Sequence, residues 1–150
     1  MLDFPSSPTT GQIFTVGGTI WKFDSVKWLA QGAASQYLLG FNLPGMLTAG
    51  SMFAHVFAAG ASFPVNFSGS QARGSANATA SPVVTFSKAV AASPLSFSTI
   101  GTLTIAAGTV TPTFVAAAAT SFAIGDTLRG IVTTGDASFA DLYLTLAGTR

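Results

Sequence analysis

His55 is the single histidine of a chain that contains no cysteine and no glutamate, and this shortage decides most questions of chemistry. A Ser-His-Asp triad needs an imidazole base, an acid that orients it and an exposed serine. His55 lies in Phe53-Ala54-His55-Val56-Phe57, where strict alternation puts it on one face with Phe53 and Phe57. That is the setting of a packed or interface histidine. No Gly-x-Ser-x-Gly elbow occurs. The carboxylates are Asp3, Asp24, Asp126, Asp136 and Asp141. A pair of them would be glycosidase machinery, and Asp126, Asp136 and Asp141 would be hard oxygen donors for calcium. Their spacing fits no cation loop, and Asp24, Asp126 and Asp136 sit in Asp-Ser or Gly-Asp turns, where backbone hydrogen bonds account for them. Gly17-Gly18 leads into a strand rather than a helix, so no phosphate loop forms. Without cysteine there is no disulfide and no thiolate metal site. The chain reads as a non-enzyme, with no catalytic residue, no metal and no cofactor.

The residues left to do work are aromatic. Phe14, Trp21, Phe23 and Trp28 fall close together near the start, and amphipathic rings suit interfaces and sugar faces alike. Ile13-Phe14-Thr15-Val16, Gly17-Gly18, then Thr19-Ile20-Trp21-Lys22-Phe23 reads as a hairpin with a two-residue loop. Asp24-Ser25 then turns the chain into Val26-Lys27-Trp28-Leu29. Two-residue loops place Phe14 opposite Trp21 and Trp21 opposite Trp28, an aromatic row across three strands. The same register sets Lys22 opposite Lys27, which is mildly repulsive and would be relieved by a longer second turn. A meander this small cannot bury its aromatic face alone. These four aromatics are therefore read as the small core of the meander, or as a face turned to the following domain, an assembly partner or a ligand.

Residues 29–36 read as a linker, dividing an attachment or oligomerisation segment (1–30) from a larger domain (37–150). Short apolar runs punctuated by Gly, Pro, Ser and Thr predict strands at 37–43, 51–58, 62–67, 83–88, 98–106, 111–116, 126–133 and 141–147. Ala106-Ala107-Gly108, Gly125-Asp126 and Gly135-Asp136 are turn signals. The expected fold is all-β: a three-stranded meander followed by an antiparallel β-sandwich of jelly-roll type. Residues 68–82 are low in complexity and long for a loop, with a weak helix conceivable in the alanine-containing part.

Charge then bounds the partners. Only 7% of the 150 residues are charged, against about 25% in an ordinary soluble domain. No Asp, Glu, Lys or Arg lies between Lys27 and Arg73, nor between Lys88 and Asp126. A net charge of +1 gives no field for nucleic acid. Apolar runs are broken too often for a membrane helix. Two Trp and two Tyr are too few for the girdles of a membrane barrel. The first residues show no secretory signal, and the sequons at Asn66 and Asn77 would matter only in a secreted eukaryotic protein. A lone copy with this exterior has little to keep it dispersed, so sister chains or other proteins are expected to cover it.

The stretch Phe4-Pro5-Ser6-Ser7-Pro8-Thr9-Thr10-Gly11-Gln12-Ile13-Phe14-Thr15, followed by Gly18-Thr19-Ile20-Trp21-Lys22-Phe23-Asp24-Ser25-Val26-Lys27-Trp28, resembles a segment of tail-fibre and related structural proteins of tailed bacteriophages. There a Pro-Thr-x-Gly-Gln start leads into a Gly-x-x-Trp-x-aromatic-Asp-Gly-x-x-Trp meander; here Ser25 stands where glycine is usual. The residues 100–105, 122–128 and 144–150 are similar to small β-sandwich domains of phage fibres and accessory proteins. The resemblance implies a structural protein on the phage particle surface, a homo-oligomer and most simply a trimer, with other phage structural proteins as partners. It transfers no catalytic residue. The alternative is a carbohydrate-binding module that adsorbs to host envelope polysaccharide, with Trp21, Trp28, Tyr37 and Tyr143 as stacking candidates beside the 68–82 loop. A depolymerase would need residues that the sequence does not offer.

Overall fold

The computed structural model describes residues 3–16, 19–31 and 35–150. The Gly17-Gly18 turn and linker residues 32–34 lie outside the described residues. The chain divides into two compact units, one ending at Ser35 and one spanning Gln36–Arg150.

The first unit is an antiparallel meander of β1 (Ile13–Val16), β2 (Thr19–Phe23) and β3 (Trp28–Gln31). Phe14 pairs with Trp21, as the hairpin reading expects. The second register differs. Trp28 pairs with Phe23, Trp21 with Ala30 and Lys22 with Leu29. The loop is therefore the four residues Asp24–Lys27, and the two lysines do not face each other. Asp24 is the reason: its Oδ1 accepts the Val26 and Lys27 amides, both at 2.8 Å, and its own N–H donates to the Lys27 carbonyl at 3.1 Å. These amides hold the Asp24 carboxyl below the usual carboxylate range. Ser25 is forced to φ +92°, the left-handed conformation that glycine adopts without penalty. Ser25→Gly should therefore stabilise this unit by about 0.5–1 kcal/mol, the relieved strain outweighing the added freedom of the unfolded chain. A lowered midpoint in tryptophan-fluorescence unfolding would contradict it.

The second unit is a sandwich. One sheet runs β10 (Pro112–Val115), β9 (Ser98–Ile105), β8 (Val83–Ala89), β12 (Thr127–Thr134), β5 (Met52–Val56). The other runs β11 (Thr120–Phe122), β6 (Ala61–Phe63), β13 (Asp136–Thr149), β4 (Gln36–Leu47), with β7 (Gln71–Arg73) also paired to β13. The antiparallel pairs nest: β4 with β13, β5 with β12, β6 with β11, β8 with β9. A long hairpin rolled up so that its arms alternate between two sheets gives this pattern, and it is a jelly roll. The described residues contain no α-helix.

The strands follow from alternation. In β12, Leu128, Gly130 and Val132 are buried while Thr127, Arg129 and Ile131 point outward. The core is phenylalanine-rich: Phe57, Phe63, Phe67, Phe86 and Phe139 are almost wholly enclosed, together with Leu103, Ile105, Leu128 and Leu146. Two strands escape the sequence reading, β7 and β11, each three residues long. The expected 62–67 strand ends at Phe63 and passes into a 3-10 turn, Val65–Phe67. The expected 68–82 loop holds β7 and no helix. Instead Asp136 accepts the amides of Thr79 and Ala80, both at 2.7 Å, which fixes that segment in an irregular path.

Candidate functional site

The meander aromatics come together on one face. Cross-strand partners share a side of a sheet, so Phe14, Trp21, Phe23 and Trp28 line up, and all are half-buried. The chain's own start covers them. Phe4 stacks on Trp28 with centroids 5.3 Å apart and an interplanar angle of 16°, meets Trp21 edge-on at 5.1 Å, and lies 5.7 Å from Phe14. The Thr9–Gln12 turn returns the segment: the Gln12 amide donates to the Thr9 carbonyl at 2.9 Å, and Gln12 Oε1 accepts the Thr9 amide at 2.9 Å. A partner is thus not required to give the face a first covering layer, since the residues before the meander provide one. The Trp21 indole N–H is buried without a hydrogen-bond partner among the described residues.

The sandwich has its own aromatic seam between β4 and β5. Phe41 and Phe53 lie 4.2 Å apart, and Tyr37 Oη sits 3.2 Å from His55 Nε2. His55 meets Phe57 edge-on at 4.8 Å, and the Arg150 guanidinium lies 4.0 Å over the Tyr37 ring. Desolvation, with the positive Arg150 nearby, lowers the His55 pKa. Among the described residues no carboxylate bonds to it.

The acids are anchors for the backbone. Asp126, 4% exposed, pairs with Lys88 at 2.9 Å and accepts the Ala123 and Ala91 amides at 2.9 and 3.0 Å. Those bonds lower its pKa, that to Ala123 most. Asp141 sits at φ +52° in a bulge of β13, accepting the Gly45 amide at 2.7 Å and the Ser75 hydroxyl at 2.9 Å. Among the described residues no three acids or histidines gather closely enough to share an ion.

Asp136 is the most heavily bonded. Besides Thr79 and Ala80 it accepts the Ser138 hydroxyl at 2.6 Å and the Ser138 amide at 2.8 Å. These bonds, that of the Ser138 hydroxyl foremost, push its carboxyl far below the ordinary range. Because the folded-state pKa lies under the unfolded value, the stabilisation is complete above about pH 4 and fades as pH falls toward the folded value. Asp136→Ala should lower the urea midpoint at pH 7, and the gap from the native chain should narrow below about pH 4. A gap independent of pH would refute the anchoring role.

With Asp126, Asp136 and Asp141 bonded internally, Lys88 paired, Arg129 stacked 3.6 Å over Phe97 and Arg150 on Tyr37, one charged side chain of the sandwich remains outside these contacts: Arg73. It lies on the outer face of β7, directly across from Tyr143, which is 54% exposed. The four sugar-stacking candidates separate accordingly. Trp21 and Trp28 are half-covered, Tyr37 is held by His55 and Arg150, and Tyr143 stands on an open sheet face. Arg73 escaped the sequence reading because a three-residue strand carries no periodic signal; Tyr143 was legible from the alternation of Tyr143-Leu144-Thr145-Leu146. Compared with protein-family models, with curated proteins and with solved structures, the chain matches none.

Proposed function

We propose that this chain is a structural subunit of a tailed-bacteriophage particle, present there in multiple copies and most simply as a trimer. One observation carries the reading: of the seven Asp, Lys and Arg residues from Gln36 onward, six are bonded or stacked within the fold, and Arg73 and Arg150 are the two that stand exposed. Leu38, Met46, Met52, Val56 and Ile124 meanwhile stand more than half exposed. Soluble monomers disperse through a mixed, charged exterior, and this body lacks one. Covering such side chains gains roughly 25 cal/mol per Å² of apolar area, which symmetric copies supply to one another. The phage assignment itself comes from the resemblance of residues 4–28 to the opening of tail-fibre proteins.

Multi-angle light scattering at about 50 µM, where contacts weaker than micromolar still form, should give a mass that is a multiple of 15.2 kDa. A monodisperse monomer at that concentration would remove the assembly reading. Antibody labelling of purified particles in negative stain should decorate them at symmetry-related positions, and unlabelled particles would remove the virion reading. A second reading, saccharide binding at a host envelope, is favoured by the open placement of Tyr143 beside Arg73.

A further inference from the structure

We infer that the outer face of the β7–β13–β4 layer is a binding site for an acidic saccharide, one bearing a carboxylate, and this rests on the saccharide-binding reading rather than on assembly. The register builds the site. Asn42, Tyr143 and Arg73 are successive cross-strand neighbours, as are Gly40, Thr145 and Gln71 in the next row outward-facing along the same strands. Gln71, Arg73, Thr145 and Asn42 are all exposed. A shallow cleft of about 400 Å³ opens over β7 and β13, with Gln71, Arg73, Tyr143 and Thr145 along it and Thr111 at its rim. That size falls within the range of small-ligand sites. Gly40 contributes no side chain, and a Cβ there would meet nothing within 4 Å, so the platform has a notch on the far side of Thr145.

The chemistry fits one class of ligand. A pyranose presents an apolar C–H face and a polar rim. The Tyr143 ring offers the flat amphipathic surface for the first. The Asn42 and Gln71 amides and the Thr145 and Thr111 hydroxyls offer donors and acceptors for the second. Arg73 adds a guanidinium fork that takes a carboxylate in a two-point bond. Among the described residues no carboxylate of the chain pairs with Arg73. An acid on the ligand would complete it.

Calorimetric titration of the full chain with trigalacturonate and with maltotriose tests this. Trigalacturonate should bind with a Kd on the order of 1 mM or tighter, and maltotriose at least ten-fold more weakly. Arg73→Gln should weaken trigalacturonate at least ten-fold and leave maltotriose unchanged. Tyr143→Ala should weaken both, while Trp28→Ala should change neither by more than two-fold. Both site residues are exposed, and circular dichroism verifies that each variant is folded. Equal affinity for the two trisaccharides would overturn the acidic preference while leaving a saccharide site in place. Loss of binding in Trp28→Ala alone would move the site to the meander and overturn the inference. No heat from either sugar would end the saccharide reading together with it. A change of oligomer mass in Arg73→Gln, without any change in sugar affinity, would make the patch a contact between copies and overturn the inference.

Discussion

Replacing Phe63 by alanine should lower the unfolding free energy of the sandwich by about 3–5 kcal/mol, read as a fall in the urea midpoint at unchanged slope. Phe63 is 0% exposed. Its ring sits among four others: Phe57 at 6.1 Å, Phe67 at 6.1 Å, Phe122 at 5.7 Å and nearly perpendicular, and Tyr37 at 6.2 Å. These rings cannot slide together to fill the gap, because each backbone is held separately: Tyr37 and Phe122 in ladders, Phe57 by its amide to the Asp126 carbonyl at 2.9 Å and Phe67 by its amide to the Pro64 carbonyl at 3.0 Å. The loss therefore includes a cavity term as well as the transfer of the ring to water. Domains of this size have about 5–15 kcal/mol in all, so this single change removes a large part of it. Phe114, half-buried at the rim, is the comparison, and its truncation should be distinctly milder. A Phe63→Ala loss below about 1.5 kcal/mol would show that the aromatic cluster is loosely packed, contrary to native interiors.

Gly101→Ala should cost about 3 kcal/mol, though it adds one methyl group to a strand. The added Cβ would stand 2.6 Å from the Val115 carbonyl oxygen, 3.0 Å from Ala116 Cβ and 3.0 Å from the Phe67 ring. The first obstacle is backbone, held by the β9–β10 ladder through Val115 with Thr102, and the Ala116 amide donates to Asn66 Oδ1 at 2.9 Å. Relief requires moving a strand, and overpacking of this kind is destabilising by roughly 1–3 kcal/mol or more. Gly40→Ala is the internal control, since nothing lies within 4 Å of its Cβ. It should be neutral or stabilising by up to about 1 kcal/mol, because glycine within a strand is entropically unfavourable. Thermal unfolding of the two variants side by side gives the contrast. Equal melting points would refute the packing argument at Gly101.

Alternation and turn residues made the all-β class and most strand positions legible, and physical reasons account for what they missed. Thr127–Thr134 announces itself because buried and outward positions alternate from Thr127 to Val132, and Val83–Ala89 because they alternate from Val83 to Phe86 before a bulge shifts the register. Gln71–Arg73 and Thr120–Phe122 are too short to show a period, and their strand state is imposed by the ladders they join. The error at Asp24–Lys27 has a different origin. A side-chain carboxylate that captures two amides stabilises a four-residue loop as firmly as a glycine stabilises a two-residue one. The anchoring of residues 79–80 by Asp136 was equally invisible, for it joins positions 56 and 57 residues apart. That Phe14, Trp21, Phe23 and Trp28 gather on one face of the meander was legible from their spacing. That Phe4 would fold over them was not, because a lone phenylalanine before two prolines has no pattern to belong to. Arg73 became meaningful only when the register set it beside Tyr143.

The nesting of β4 with β13 has a mechanical corollary. Gln36 pairs with Thr149, so the two ends of the rolled body emerge side by side at one pole. Tension applied between them would peel these strands apart one hydrogen bond after another, like a zipper, instead of loading the ladder all at once in shear. Force applied between these two ends should therefore open the body gently from that pole, with the Leu47–Asp136 end of the pair parting last.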